Sequence, residues 1–188
     1  MNLRNVNLLL GTSALLLLSA CTMNAPKYTF SPDHVQTLRS ANLAPARVGT
    51  VAVTGKDARN DTITLRGNGM HSPYGSYAQY LQEALSQDLR EARLLDDKAT
   101  TEVSAELLKN DIDTKGFGTA SGDIEARFTV KRAGQTAYAQ NKSAHIEWDS
   151  NFIGAIAIPR AQEHYPVLVT ALLNALYADA AFLQALRP

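Results

Sequence analysis

Ile124-Glu125-Ala126-Arg127-Phe128-Thr129-Val130-Lys131 is the stretch from which the fold is read. Even positions are apolar and odd ones polar, and successive side chains of a strand point to opposite faces. The pattern predicts a strand with one face buried and the other in water. Ala133-Gly134 follows as a two-residue turn. Tyr138, Ala144, Ile146 and Trp148 then share one parity, which predicts a second strand antiparallel to the first.

Upstream, Val103, Ala105 and Leu107 take one parity, and Leu108 and Ile112 the other. A bulge near Leu107-Leu108 within a strand over 102–114 accounts for the change of phase, and a short helix over 101–109 is the rival reading. The segment 115–122 is glycine-rich and is read as a loop. Val48, Val51 and Val53 mark an earlier strand, 57–60 a polar turn, and Ile63 and Leu65 a short strand that Gly67-Asn68-Gly69 ends. These last strands of the series, from 102 to 149, form an antiparallel meander.

Two helices complete the pattern. Ser76-Tyr77-Ala78-Gln79 fits a capping box, with Ser72-Pro73 a rival start one turn earlier. Tyr77, Leu81, Leu85, Leu89 and Ala92, with Ala84 beside them, share one helical face, and Arg90 and Arg93 favour its C-terminus. Leu168, Val169, Leu172, Leu173, Ala175 and Leu176 mark a second helix after Pro159, and Asp179 caps a short turn carrying Phe182, Leu183 and Leu186. The order predicts an α+β fold: a mainly antiparallel sheet of four to five strands with two helices packed on one face.

The N-terminal residues concern location. Arg4 precedes an apolar run from Leu8 to Leu18, about half of the ~20 residues that a membrane-spanning helix needs, so 1–20 reads as an export signal. Leu18-Ser19-Ala20-Cys21 resembles the lipobox of bacterial lipoproteins. The resemblance implies cleavage between Ala20 and Cys21, diacylglycerol on the Cys21 thiol, and an N-acyl chain such as palmitate on the freed amine. Thr22 stands where an Asp would signal inner-membrane retention, so the resemblance also implies the outer membrane, facing the periplasm. Residues 21–46, with Pro26, Pro32 and Pro45, are read as the lipidated N-terminus and a flexible tether, and 47–188 as a single domain; packing of Tyr28 and Phe30 on the domain, which would start it earlier, is the rival reading. The order of elements is similar to that of the YajG-like lipoproteins, of auxiliary lipoproteins of lipid-transporting ABC systems, and of the amino-terminal domain of TolB. That likeness carries over no functional residue other than Cys21.

Composition narrows the classes. Removing 20 of 188 residues leaves 168, enough for one domain with a real core. Without Arg4 the 18 basic side chains become 17 against 18 acidic ones, which gives no electrostatic footprint for nucleic acid. Cys21 is the only cysteine and the lipid consumes it, so no disulfide is expected. Gly116-Phe117-Gly118-Thr119-Ala120-Ser121-Gly122 leads into a strand rather than a helix and lacks a closing Lys-Ser/Thr, so it is not read as a phosphate loop. His34, His71, His145 and His164 show no metal-ligand spacing. No Gly-x-Ser-x-Gly elbow is present, and Ser76 serves as a cap. The carboxylate pairs Asp96-Asp97 and Asp111/Asp113 lie near element ends, where acidic side chains are commonly just solvated.

Two features remain as candidate interaction surface. Met70, His71 and Tyr74, with Tyr77 and Tyr80, cluster around the first helix start, and Tyr and Met suit contact surfaces; the other reading is that Tyr77 faces the core and the rest edge it. The run 152–158, with Phe152, Ile153, Ile156 and Ile158, is either a buried crossover or an exposed apolar patch. The expected function is a lipid-anchored, non-enzymatic binding or adaptor module for another envelope component, with no cofactor beyond the acyl chains. Its rivals are a lipid-contacting accessory of a transport system and a peptidoglycan hydrolase.

Overall fold

The computed structural model describes residues 23–53, 61–116 and 118–188. The export signal, Cys21 and the 57–60 turn lie outside the described residues. In chain order the elements are β1 (Met23–Asn24), α1 (Pro32–Ser40), β2 (Arg47–Val53), β3 (Ile63–Leu65), β4 (Asn68–His71) and α2 (Tyr77–Glu91). There follow β5 (Thr101–Asp113), β6 (Thr119–Arg132), β7 (Gln135–Asp149), α3 (Gly154–Tyr177) and α4 (Ala180–Ala185).

The alternating stretch forms β6 as its period predicts. Ile124, Ala126, Phe128 and Val130 are buried, and Glu125, Arg127, Thr129 and Lys131 face outward. Ala133 (φ 48°) and Gly134 (φ 82°) make the two-residue turn, both left-handed as a tight hairpin with twisted strands requires. The register of β5 on β6 shifts between Leu107 and Lys109, which is the bulge that the parity change announced. That slip keeps Leu107 and Ile112 on the same, buried face.

The α+β class holds, with more parts than expected. Among the described residues there are two sheets, one of four strands in the order β2-β5-β6-β7 and one of three in the order β1-β4-β3. Both are mixed: β2 runs parallel to β5 and β1 parallel to β4, while the other pairs are antiparallel. A parallel neighbour needs a long crossover, and the small hairpin and α2 together supply it between β2 and β5. α2 covers β2 and β5, and α3 covers β6 and β7, on the same face of the larger sheet. The face away from the helices carries ion pairs such as Lys109–Asp123 (3.5 Å).

Four expectations need correction. The segment read as a flexible tether is part of the domain: α1 lies within it, and Ala25, Tyr28, His34, Val35, Leu38 and Ala46 are buried. Its prolines serve local geometry, Pro32 opening α1 where no amide partner is needed. Gly69 lies within β4 rather than ending β3, because the turn is made earlier, by Arg66 (φ 50°) and Gly67 (φ 86°). Gly122 belongs to β6, not to a loop; a Cβ there would meet Leu168 Cδ2 at 3.0 Å, so the bare backbone lets α3 approach. Finally, α3 begins before Pro159, at Gly154; Pro159 is its sixth residue, and the carbonyl that loses its bond there, that of Ala155, belongs to an exposed residue that water reaches.

Candidate interaction surface

The β3–β4 turn places Arg66 at one end of the molecule, and the Arg66 guanidinium organises that end. It donates to the carbonyl oxygens of Thr114 (3.0 Å), Asn151 (2.8 Å) and Phe152 (2.5 Å). The Asn151 side chain accepts from the Ile153 amide at 2.8 Å, and the Ile153 carbonyl receives the amides of Ile156 and Ala157, both at 3.0 Å. The Ser150 amide donates to Gly118 at 2.9 Å, tying the β5–β6 loop to the same place. The crossover from β7 into α3 is thus held by charge-assisted and main-chain bonds rather than by burial of its side chains.

Helical periodicity then sorts the run 152–158. Ala157 and Ala161 point into the core with no exposed surface, and Ile158 packs half-buried against it. Phe152 (65%), Ile153 (44%) and Ile156 (39%) point into water. Of the two readings left open for this run, the exposed patch is the one observed for these three residues, and Ile158 is outside it. Three large apolar side chains brought together on a surface form a patch of the sort that marks contact with a partner or with lipid.

The tyrosine cluster has a different role. Met70 is 1% exposed and belongs to the core, which corrects its place in the candidate surface. Tyr77 donates to the Met70 carbonyl and Tyr80 to the Pro26 carbonyl, each at 2.8 Å, and both rings meet Tyr165 edge-on at 4.8 and 4.9 Å. These contacts lock the small sheet and the N-terminal segment to α2 and α3. Tyr74 lies half-buried with its ring edge-on to Tyr80, 5.4 Å away, and desolvation raises its pKa. His71, three residues earlier in the chain, is exposed.

Residues tested for chemistry mostly have local structural tasks. Ser76 caps α2 and completes the capping box with Gln79. Asp96 and Asp113 accept from the amides of Lys98 and Lys115, each two residues on, which are turn contacts. Asp111 and Asp113 line a polar groove of about 610 Å³ together with Thr62, Thr64, Arg66 and Lys109. His145 stands on the solvent face of the sheet between Asp123 (3.0 Å) and Glu147 (3.4 Å), whose carboxylates raise its pKa. His164 stacks on Trp148 at 4.6 Å. Among the described residues no group of three His, Cys, Asp or Glu side chains is placed to hold a metal ion.

One buried group escaped the sequence reading. Asp88 on α2 is fully buried, accepts the hydroxyl proton of Tyr28, whose oxygen lies 3.1 Å from both carboxylate oxygens, and lies 2.9 Å from His34 Nδ1. Burial and the Asp88 carboxylate push the Tyr28 pKa far upward, so its hydroxyl stays a donor. Asp88 reads as a polar position of an amphipathic helix; its partners lie 60 and 54 residues away, so nothing local announces them.

The molecule is therefore an α+β domain that buries its own tyrosine cluster and leaves one apolar ridge uncovered at the Arg66 end. Its fold is similar to that of a DUF330-family protein from Xanthomonas campestris, with a TM-score of 0.53 at 10% identity, covering 82% of this chain and 92% of that one. A candidate lipoprotein from Caulobacter crescentus matches with a TM-score of 0.44 at 11% identity, over 81% and 96% of the two chains. A Chlamydia trachomatis protein matches at 0.48 and 11%, over 76% and 99%. No family model and no curated protein matches the sequence. At such identities the Xanthomonas likeness concerns the fold.

Proposed function

We propose that this chain is a lipid-anchored envelope protein that acts by binding rather than by catalysis, through the ridge of Phe152, Ile153 and Ile156. The observation that carries the reading is the exposure of those side chains on a backbone clamped by Arg66. A crossover built only to connect β7 with α3 has no use for three large apolar residues in water. The lipobox-like Leu18-Ser19-Ala20-Cys21 supports acyl chains on Cys21 and a periplasm-facing place on the outer membrane. No helix among the described residues is long and apolar enough to cross a membrane. The reading calls for no cofactor and no nucleic acid, and for one envelope component as the bound partner.

In-cell photo-crosslinking from positions 152 and 156, with the buried position 77 as reference, tests the reading. Discrete adducts from the first two positions are expected and none from the third. If 152 and 156 also stay free of adducts, the ridge is not a binding surface. The purely apolar character of the ridge also suits a lipid-handling accessory; that reading expects phospholipid to co-purify with the protein through size exclusion, and clean organic extracts count against it.

A further inference from the structure

We infer that the component met by the ridge is the bilayer surface itself: Phe152, Ile153 and Ile156 seat the domain on the leaflet that holds the acyl chains of Cys21. The inference rests on the lipid-anchor reading and adds to it where the domain sits and which end faces the membrane.

Three observations converge. The first is the length of the leash. Met23, the first described residue, already pairs with Met70 in the small sheet, and Cys21 is two residues earlier in the chain. At ~3.3–3.6 Å per residue, two residues reach about 7 Å, so an acylated Cys21 cannot stand the domain off the membrane.

The second is direction. β1 runs parallel to β4, and β4 runs away from the Arg66-Gly67 turn. The chain therefore enters β1 from the side of that turn. Arg66 holds the carbonyls of Asn151 and Phe152 at the same turn, so the ridge lies toward the end from which the anchor arrives. α3 closes the geometry: Gln162 donates to the Asn24 carbonyl at 2.8 Å, about two and a half turns after Ile153. That separation is ~14 Å along the helix.

The third is chemistry. A bilayer interface accepts Phe and Ile side chains without a shaped complementary surface, and shallow insertion of ~5–10 Å suits side chains projecting from a helix start. Charges of both signs stand around the ridge: the Arg66 guanidinium on the Phe152 carbonyl, Arg160 and Asp149 on either side of the run in the chain, and Lys115 and Asp113 on either side of Thr114, whose carbonyl Arg66 also holds. Attraction to anionic headgroups therefore does not position the domain. Apolar contact beside a covalent anchor does.

The test uses the full-length acylated protein in vesicles of phosphatidylethanolamine and phosphatidylglycerol. Cys21 is the only native cysteine and its thiol is in the thioether, so Phe152→Cys, Ile156→Cys and Thr136→Cys each introduce one free thiol for a fluorophore. Thr136 lies at the far end of the β6–β7 hairpin from Asp149 and serves as the distant reference. Doxyl-labelled lipids are expected to quench the probes at 152 and 156 severalfold more than that at 136, with little change between low and high salt. Equal, weak quenching at all three positions in a protein that floats with the vesicles and carries its acyl mass would overturn the seating while leaving the anchor intact. A chain that lacks the acyl mass and fails to float overturns the anchor reading and the seating with it. A protein crosslink from 152 in cells, with unquenched probes in vesicles, assigns the ridge to a protein partner instead.

Discussion

Asp179 shows how much one side chain can join. Its carboxylate caps α4 through the Ala181 amide (2.8 Å), accepts from the Tyr138 hydroxyl (2.8 Å) and pairs with Lys142 (2.6 Å). The Lys142 bond, ahead of the others, lowers its pKa to about 2. A depressed carboxylate stabilises the fold fully above its unfolded value near 3.8, and that stabilisation fades as pH falls through this value toward about 2. Asp179→Ala is expected to cost about 1–2 kcal/mol at neutral pH in urea melts, from the lost cap and hydrogen bonds. The gap from the native protein should narrow between those two pH values; a constant gap would mean the carboxylate's charge is immaterial. Asp88→Ala should do more damage, about 3–5 kcal/mol, since it strands His34 and the Tyr28 hydroxyl without an acceptor in the interior. Asp88→Asn, which keeps an oxygen, should recover part of that loss in the same melts.

Among the elements, α2 and α3 differ in how they announce themselves. The capping box, the apolar face and the end of α2 are all written within Ser76 to Ala92, and the helix forms there. Ser76→Ala should cost about 1 kcal/mol by removing the bond to the Gln79 amide, measured as a lower urea midpoint with unchanged slope. A changed slope would point instead to a different unfolded state. α3 starts a turn and a half earlier than its sequence pattern indicates, because Pro159 reads as a breaker, whereas the Ala155 carbonyl it leaves without an amide belongs to an exposed residue. The same local logic misplaces Gly69 and Gly122, which look like loop residues and sit in strands. Gly122 is there for the closeness of Leu168, a residue far along the chain.

The largest consequence concerns the molecule as a unit. Residues 23–46 complete the domain: Tyr28 and His34 reach Asp88, Arg39 reaches the Glu91 carbonyl, and the Ala44 amide meets the Leu186 carbonyl at 2.8 Å. Hydrogen exchange should therefore show the amides of Val35 and of α1's last turn protected, at rates closer to those of α2 than to a free peptide. Exchange at unstructured rates across 32–40 would restore the tether. With the lipid anchor proposed for Cys21, this integration is also what leaves only a short leash between anchor and domain, so the proposed seating depends on it.

Local period and turn chemistry, written in neighbouring residues, were enough to establish the β5–β6–β7 meander with its bulge, the capped α2 and the α+β class. They were also enough to single out Phe152, Ile153 and Ile156, though not to say whether those residues are covered. Exposure is a property of what packs above a residue, and here it is settled by an arginine 86 residues from Phe152 in sequence. Likewise the parallel partners of β1 and β2, the burial of Met70 and the Tyr28–His34–Asp88 group arise from pairings between distant segments. Such pairings are chosen by the sum of many weak contacts across the whole core, and no short stretch of the chain carries that sum.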